Sequence, residues 1–486
     1  MPLQLLSVAP EIFPLVKTGG LADVAGALPA ALAAQNVRVT TLVPGYRQVL
    51  DALGDGEVVG EYPALMGGPA VIRRGSAAEL DLFVLDAPHL YVRDGNPYVA
   101  PDGRDWPDNP VRFAALARVA ADIAQGRIGG WQPDIVQTHD WQAALAAAYL
   151  HFDPPGKRPP VVMTIHNLAF QGIFPAYLLD TLGLPADAYA IDGMEYHGSI
   201  SFLKAGLVYA DHVSTVSPTY AREILTRENG MGLDGVLATR AGHVSGILNG
   251  IDTRVWDPAT DPLIAAQYSA TNPDGREANK RALQAAFGLP QTPEPFLLGS
   301  VGRLTEQKGI DILIDALPTL LKMGGQFVLL GSGDPAFEDA CRAMSTAYPD
   351  RIACRIGYDE TIAHLIQAGS DALIVPSRFE PCGLTQLCAL RYGAVPIVAR
   401  VGGLADTVID ANPAALSARV ATGLQFAAGS TPALIEALHR AGTLYADQRQ
   451  WANIRQNGLA SDVSWEQAAS QYAALFHNLI RTQVLA

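Results

Sequence analysis

The sequence lacks the features that define several large classes of protein. It has no apolar run of about 18 residues, the length that crosses a bilayer, and its first residues have neither the basic start nor the apolar stretch of a signal peptide. It contains no repeat of roughly 20–50 residues, no low-complexity tract and no long block of like charges. We therefore expect a soluble, cytoplasmic, globular protein.

Cysteine is scarce, and its spacing gives no metal site. The four cysteines, Cys341, Cys354, Cys382 and Cys388, form no Cys-x-x-Cys pair and no cluster with histidine. The pattern predicts reduced thiols and no zinc. The cysteines thus give no reason to expect a metal or cofactor site.

Positive charge is also in deficit. The chain has 34 Lys and Arg residues against 48 Asp and Glu residues, a formal net charge of −14. This balance argues against broad binding to nucleic acid or to an anionic membrane. The Walker motif and Gly-x-Gly-x-x-Gly are missing too, so neither a P-loop nor a nicotinamide site is supported. An anionic ligand must be held by local cations and backbone amides.

The hydrophobic pattern predicts two α/β domains. A chain of 486 residues exceeds the roughly 250–300 residues of one core. Apolar runs typical of buried parallel strands alternate with amphipathic helical stretches, and the alternation restarts after a turn-rich stretch at 257–275. The predicted strands are 3–9, 37–43, 135–138, 161–165, 213–216, 296–301, 327–330, 352–355, 372–376 and 396–399. We predict an N-terminal Rossmann-like domain at 1–254, a C-terminal one at 255–458, and a C-terminal segment at 459–486 whose helix spans Ser464 to Ile480.

One candidate site follows the first strand. Lys17-Thr18-Gly19-Gly20 leads into a predicted helix, and a helix N-terminus offers unpaired N–H groups to a phosphate. Glycine lets a ligand approach the backbone, and Lys17 adds a full charge. A glycine-rich turn that only enters a helix is the alternative.

Other first-half loops also follow predicted strands. They bring His139 and Asp140, His166 and Asn167, and Asn249 to the carboxyl edge of a sheet, where ligands of such folds bind. Satisfied turns or caps explain any one of them, but together they favour a polar sugar site. The stretch from Tyr98 to Arg112 is a candidate for ring stacking on a glucan or an ordinary surface loop.

The second half has a matching pair of loops. Arg303 and Lys308 follow a strand and suit a diphosphate leaving group, although a solvated loop is the alternative. Glu380 precedes a helix that begins near Gly383, so it is either a sugar ligand or a helix cap.

Six motifs occur in order along nearly the whole chain. They are Lys-Thr-Gly-Gly-Leu-Ala-Asp-Val from Lys17, His-Asp-Trp-Gln from His139, Thr-Ile-His-Asn-Leu-Ala-Phe-Gln-Gly from Thr164, Asn-Gly-Ile-Asp from Asn249, Gly-Arg-Leu-Thr-Glu-Gln-Lys-Gly from Gly302, and Ser-Arg-Phe-Glu-Pro-Cys-Gly-Leu-Thr-Gln from Ser377. In content and order they resemble the bacterial glycogen synthases and plant starch synthases of glycosyltransferase family 5.

The resemblance implies a fold and an activity. The fold is GT-B, with two Rossmann-like doubly wound domains facing a deep cleft and a C-terminal helix that crosses back to the first domain. The first domain takes the glucan acceptor and the second the donor. The activity is metal-independent transfer of glucose from ADP-glucose to the non-reducing 4-hydroxyl of an α-1,4-glucan, with retention of configuration. The alternatives are a related GT-B enzyme that uses UDP-glucose or makes another linkage, and a catalytically silent glucan-binding protein.

The resemblance also implies residue roles. The implied catalytic residues are Arg303, Lys308, Glu380, His166 and Asp140. The implied donor ligands are Lys17, Gly19, Gly20, Asp23, Asn249, Tyr358, Gly383, Leu384 and Thr385, with Tyr358 stacking on adenine. The implied acceptor ligands are Tyr98, Asn167 and Lys280. Whether Lys17 contacts donor or acceptor stays open.

Two positions depart from the family pattern. Pro10-Glu11 stands where many members have Ser-Glu, which could alter the backbone before the Lys17 loop. Cys388 stands where related GT-B enzymes of another family have a second glutamate, so a ribose contact does not transfer.

Overall fold

The computed structural model describes residues 2–153 and 158–485. The chain forms two compact units. The first unit comprises Met1–Asn249 and Trp465–Ala486, and the second comprises Gly250–Ser464. Within the described residues, no helix combines the length and the apolar character needed to cross a membrane.

The first unit is built on a nine-stranded sheet in the order β12-β11-β7-β6-β1-β2-β5-β4-β3, with a small sheet β8-β10-β9 beside it. Its strands are β1 (Leu3–Val8), β2 (Val37–Pro44), β3 (Glu57–Leu65), β4 (Gly68–Ala77), β5 (Leu80–Asp86), β6 (Ile135–His139), β7 (Val161–Ile165), β8 (Ile173–Pro175), β9 (Glu195–Tyr196), β10 (Ser199–Ser201), β11 (His212–Thr215) and β12 (Val244–Gly246). The helices between them are α1 (Gly20–Ala33), α2 (Arg47–Leu53), α3 (Pro88–Tyr91), α4 (Asn109–Ala124), α5 (Asp140–Phe152), α6 (Phe202–Tyr209), α7 (Pro218–Glu223) and α8 (Asp234–Thr239).

The seven strands from β12 to β5 run parallel, and the five predicted strands of this unit lie among them. Side chains of a strand alternate between the two faces of its sheet. Leu6 and Val8 pack in the core that contains α4 and α5, whereas Leu3 and Leu5 pack in the core that contains α1. Both faces are therefore covered, which explains the continuous apolar runs.

The antiparallel elements are a difference from the predicted parallel sheet. β3, β4 and β5 form a meander at one edge, and β8, β9 and β10 form a separate antiparallel sheet. None of these strands was predicted; β3 and β4 are largely solvent-accessible and carry no continuous apolar run. Their turns are visible in the backbone, since Ala78 and Glu79 both have positive φ between β4 and β5.

The second unit is a six-stranded parallel sheet in the order β15-β14-β13-β16-β17-β18. Numbered from β13, this is the order 3-2-1-4-5-6 of a Rossmann fold. The strands are β13 (Leu297–Val301), β14 (Gln326–Gly331), β15 (Ile352–Ile356), β16 (Ala372–Val375), β17 (Val395–Ala399) and β18 (Leu424–Phe426). The helices are α9 (Gly275–Ala286), α10 (Ile310–Lys322), α11 (Pro335–Ala347), α12 (Glu360–Gly369), α13 (Thr385–Tyr392), α14 (Gly402–Thr407), α15 (Pro413–Ala418), α16 (Thr431–Ala446) and α17 (Gln448–Leu459).

The last helix, α18 (Glu466–Leu485), belongs to the first unit. Together with the preceding Trp465, its Tyr472 and Phe476 are buried in a cluster with Val24 and Leu28 of α1. The helix begins two residues later than the predicted start at Ser464 and extends beyond Ile480. Its apolar period reflects this buried face.

Candidate active site

Each unit has a topological switch point. This is the place where the connections that leave two adjacent parallel strands run to opposite sides along the sheet. In the first unit the switch point lies between β1 and β6, and in the second unit between β13 and β16. Ligands of doubly wound sheets bind beyond the carboxyl ends of the strands at such points. The predicted site residues can therefore be placed separately in each unit.

The Lys17 loop lies beyond β1. Its Gly19 is the N-cap of α1, and nothing lies within 4 Å of where a Cβ on Gly19 would be, so the backbone is open to a ligand. Lys17 Nζ donates to Oδ1 of Asp23 at 2.8 Å, and both side chains are partly exposed. The structure thus brings Lys17, Gly19, Gly20 and Asp23 together.

Glu11 stabilises the Lys17 loop through a hydrogen bond to its backbone. It is buried, and its carboxylate accepts a hydrogen bond from the backbone N–H of Thr18. Burial raises the pKa of Glu11, and hydrogen bonding to Thr18 opposes the rise. No role was predicted for Glu11, whose only signal in the sequence is its place directly after β1.

Asp140 is the strained residue of the first switch point. It has φ of 55°, a conformation that few non-glycine residues adopt. Its Oδ1 accepts hydrogen bonds from the backbone N–H of His166 at 2.6 Å and of Asn167 at 3.4 Å. Burial, with a smaller contribution from the charge of Glu11, raises the pKa of Asp140 to about 7. The carboxylate therefore ties the end of β6 to the loop after β7.

Two histidines meet beside Asp140. Nδ1 of His139 lies 2.9 Å from Nε2 of His166, and Nε2 of His139 lies 3.2 Å from Oγ of Ser7. Burial lowers the pKa of His139 to about 4, and burial together with His139 lowers the pKa of His166 well below its usual value. Both imidazoles are therefore neutral near pH 7.

Three further predicted residues lie in the first unit. Asn249 is buried, and its Oδ1 has no partner among the described residues, so this acceptor is available to a ligand. Asn167 uses its own Oδ1 to accept from the N–H of Ala169 at 3.0 Å, which forms a local turn. Tyr98 is half-buried with its hydroxyl near Glu11, and burial raises its pKa well above the usual value. Among the described residues, its hydroxyl has no hydrogen-bond partner.

At the second switch point the loops after β13 and β16 meet. Gly309, which ends the first loop, has φ of 67°, and a Cβ there would lie 2.1 Å from the carbonyl oxygen of Pro376. Only glycine fits this close approach. This close approach of Gly309 to Pro376 brings Lys308 near the loop that follows β16.

Lys308 and Glu380 form the centre of this switch point. Lys308 Nζ donates to Oε2 of Glu380 at 2.5 Å, and Ser377 Oγ donates to the same oxygen at 2.9 Å. Glu380 is only 6% exposed. Arg303, by contrast, is exposed, and among the described residues no carboxylate pairs with it. The structure leaves this guanidinium available for an anionic ligand.

The remaining predicted donor ligands surround this pair. Leu384 is the N-cap of α13, and Gly383 precedes it with φ of 73°. The first amides of α13, including that of Thr385, therefore begin beside Glu380. Tyr358 lies beyond the carboxyl end of β15, with 72% of its surface exposed and its hydroxyl bonded to Glu360. Its ring is free to stack on a flat ligand.

Lys280 does not join this group, which corrects the acceptor role given to it from the resemblance. Its Nζ donates to Oδ2 of Asp371 at 2.7 Å and to the carbonyl oxygens of Pro293 and Pro295 at 2.8 and 2.7 Å. Pro295 precedes β13 and Asp371 precedes β16, so Lys280 lies at the amino ends of the strands. With its side chain 8% exposed, it is a structural cation at the opposite edge of the sheet.

The described residues, 2–153 and 158–485, provide no candidate metal site. They contain no group of three or more His, Cys, Asp or Glu side chains that could hold a metal ion. Among the predicted site residues, Lys17 is a cation of the first unit, and Arg303 and Lys308 are cations of the second.

Comparison with known proteins identifies the family. Residues 4–239 match the family described as the starch synthase catalytic domain, and residues 284–457 match glycosyl transferases group 1. The chain is 57% identical to a glycogen synthase of Rhodopseudomonas palustris over 98% of this chain and 99% of that protein. It is 56% identical to a glycogen synthase of Acidiphilium cryptum, with 98% and 99% covered. The chain belongs to the glycogen and starch synthase family.

Solved structures of this family and of related enzymes agree with the fold. The catalytic domain of starch synthase IV from Arabidopsis thaliana, bound to ADP and acarbose, superimposes with a TM-score of 0.89 at 32% identity, covering 99% of this chain and 100% of that one. A sucrose-phosphate synthase from Thermosynechococcus elongatus shares the fold with a TM-score of 0.58 at 18% identity, covering 99% and 100%. The chain is thus a glycosyltransferase of the glycogen synthase family with the predicted GT-B type of fold, two α/β units with parallel sheets.

Proposed function

We propose that this protein transfers glucose from ADP-glucose to the non-reducing 4-hydroxyl of an α-1,4-glucan, with retention of configuration. The observation that carries the proposal is the contact of Lys308 with buried Glu380 at the switch point of the second unit, beside exposed Arg303. This arrangement offers cations to a diphosphate next to a carboxylate that can accept hydrogen bonds from a sugar. The starch synthase bound to ADP and acarbose supports the choice of donor and of glucan acceptor.

We assign the predicted C-terminal domain, residues 255–458, to the donor. Each predicted site residue of the second unit that lies beyond the carboxyl ends of the strands has a proposed role toward it. Arg303 and Lys308 neutralise the charge that grows on the departing diphosphate. The first amides of α13, from Gly383 to Thr385, add donors of the kind that a helix N-terminus offers to phosphate. The exposed ring of Tyr358 stacks on adenine.

We assign the predicted N-terminal domain, residues 1–254, to the acceptor side. Some of the predicted site residues of the first unit also have a proposed role toward the donor. Gly19 and Gly20 present amides beside the charge of Lys17, which Asp23 orients. His166 and Asn249 hold the glucose, and the unpartnered Oδ1 of Asn249 favours this role. Asp140 positions His166 through the backbone, while Tyr98 and Asn167 border the acceptor region.

We propose a reaction on one face of the sugar. The acceptor oxygen bonds to C1 on the side from which ADP departs, the bond between C1 and the phosphate oxygen breaks, and the acceptor proton passes to that phosphate oxygen. Neither His139 nor His166 is a suitable base in its buried state, because the pKa of each is far below neutral. Stabilisation of the leaving diphosphate is then the main catalytic contribution of the chain.

An assay with two donors tests the proposal. The purified protein is incubated with glycogen and either ADP-[14C]glucose or UDP-[14C]glucose, and incorporation into polymer is followed. We expect incorporation from ADP-glucose, release of the label by an α-1,4-specific hydrolase, and no dependence on added divalent cation. Preference for UDP-glucose, or glucan binding without turnover of either donor, would overturn the proposal. A cytoplasmic location remains a prediction from the sequence, and cell fractionation tests it.

A further inference from the structure

His139 has no part in the reaction proposed above, although it is almost completely enclosed at the first switch point. It is the last residue of β6 and only 1% exposed. Its two ring nitrogens face Ser7 of β1 on one side and His166, beyond β7, on the other. The three side chains form a line that ends at a residue assigned to the glucose.

The buried hydroxyl of Ser7 determines which atoms donate and which accept in these hydrogen bonds. Within the described residues, the only group at hydrogen-bonding distance of Ser7 Oγ is Nε2 of His139, at 3.2 Å. Gln137, its neighbour in register on β6, donates to Thr164 Oγ1, and its own oxygen has no hydrogen-bond partner among the described residues. A buried O–H group needs an acceptor. Ser7 therefore donates, and Nε2 of His139 carries no hydrogen.

The tautomers of both histidines follow from this direction. Neutral His139 carries its hydrogen on Nδ1 and donates it to Nε2 of His166 across 2.9 Å. Because Nε2 of His166 accepts, neutral His166 carries its own hydrogen on Nδ1. No described residue forms a hydrogen bond with that nitrogen, so Nδ1–H is the hydrogen-bonding group that the ring of His166 offers to a ligand.

We propose that Ser7 and His139 are positioning residues that hold His166 in its Nδ1–H tautomer, so that it presents a hydrogen-bond donor to the donor sugar. The inference rests on the proposed function, which assigns the glucose to His166. The tautomer of a histidine is set by the hydrogen bond that its other nitrogen makes. If the role of His139 were purely structural, its removal would leave the tautomer of His166 unchanged.

The tautomer is tested directly by NMR of protein labelled with 15N-histidine. In the wild-type chain we expect His166 in the Nδ1–H form near pH 7, with its signal assigned by loss in His166→Ala. In His139→Leu, which cannot donate, we expect His166 to move toward the Nε2–H form. A wild-type Nε2–H signal, or a signal unchanged in His139→Leu, would overturn the inference whether or not the protein uses ADP-glucose.

Kinetics provide the second readout. We expect His139→Leu to lower kcat by on the order of 10- to 100-fold with little change in KM for glycogen. His139→Asn should recover part of this loss, because its amide N–H lies near the former Nδ1. Equal activity of His139→Leu and the wild type, or no difference between the Leu and Asn variants, would contradict a positioning role.

Two further variants keep the test sound. Ser7→Ala removes only the hydroxyl, so it reports on the same line of contacts if His139→Leu fails to fold, and we expect the same shift of tautomer with a smaller loss of kcat. His212→Leu is the matched control. His212 contacts Ser245 Oγ at 2.8 Å and also has its pKa lowered to about 4 by burial, but it begins β11 and so lies at the opposite edge of the sheet. Its activity should stay at the wild-type level.

Discussion

Nζ of Lys308 donates to Oε2 of Glu380 across 2.5 Å, and this contact joins the loops that follow two neighbouring strands of the second unit. The carboxylate is buried and its other side-chain contact is Ser377. Lys308 therefore has two roles that an experiment must separate. It compensates the buried charge of Glu380, and in the proposed reaction it stabilises the leaving group.

Lys308→Ala should cost stability as well as activity. It leaves the buried carboxylate of Glu380 without its cation, and an unsatisfied buried group costs about 1–3 kcal/mol or more if charged. Urea denaturation should show this loss, and Glu380→Gln in the same chain should recover much of it. Turnover should stay at least about 100-fold below wild type in both chains. Recovery of activity along with stability would assign Lys308 a structural role alone.

Arg303→Ala should lower kcat by on the order of 100-fold or more without a change in stability. Arg303 is exposed, so its loss should alter the free energy of unfolding by no more than about 0.5 kcal/mol. Steady-state assays with ADP-glucose measure the first effect and urea denaturation the second. Arg342→Ala, at an exposed arginine of α11, is the control and should turn over normally. Normal kcat in Arg303→Ala would remove this residue from the catalytic set.

Tyr358→Ala should weaken donor binding. Stacking of a base on an aromatic ring contributes about 1–3 kcal/mol, so KM for ADP-glucose should rise by roughly 5- to 150-fold, with KM for glycogen unchanged. Tyr358→Phe keeps the ring and should resemble the wild type. Tyr348→Ala, at another exposed tyrosine, serves as the control. An unchanged KM for the donor in Tyr358→Ala would place the adenine elsewhere.

Asp140→Asn should change how stability depends on pH. Burial raises the pKa of Asp140 from 3.8 to about 7, so between these values the native chain holds a proton that the unfolded chain has released. The free energy of unfolding therefore falls as pH rises through this window, by up to about 1.4 kcal/mol per pH unit. Asparagine removes this contribution and tolerates the positive φ.

The measurement compares urea denaturation of the two chains at pH 5 and pH 7. Relative to the wild type, Asp140→Asn should become more stable as pH rises. Parallel pH profiles would mean that Asp140 is ionised throughout this range. Asp315→Asn, at a helix position of the second unit with an accessible side chain, is the control and should follow the wild type.

Most of the parallel strands could be predicted because burial on both faces gives them an unbroken apolar run, but β5, β12 and β18, also in parallel pairs, were not predicted. β7 was predicted at its observed bounds, and the other predicted strands differ from those observed by a few residues at most. The meander of β3 and β4 was missed because an exposed edge leaves no such run. Most predicted residues lie in loops beyond the carboxyl ends of strands. Lys280 lies at the amino ends instead, because its ion pair with Asp371 depends on packing distant in sequence.

The roles of Ser7, Glu11 and His139 could not be predicted for a similar reason. Each acts through contacts with residues on another strand or loop, and a pairwise distance leaves no periodic signal in the sequence. Glu11 is informative here, since its carboxylate reaches the amide of Thr18 only because the loop folds back over the end of β1.

The place of α18 has a consequence for synthesis of the chain. Residues from Trp465 to Phe476 cover Leu3, Leu5 and Val24 of the first unit, yet the ribosome makes them only after the entire second unit. Until then, the nascent first unit exposes an apolar surface that would attract chaperones or another nascent chain. A fragment ending at residue 249 would keep that surface permanently, so adding the α18 segment as a separate peptide should rescue its solubility.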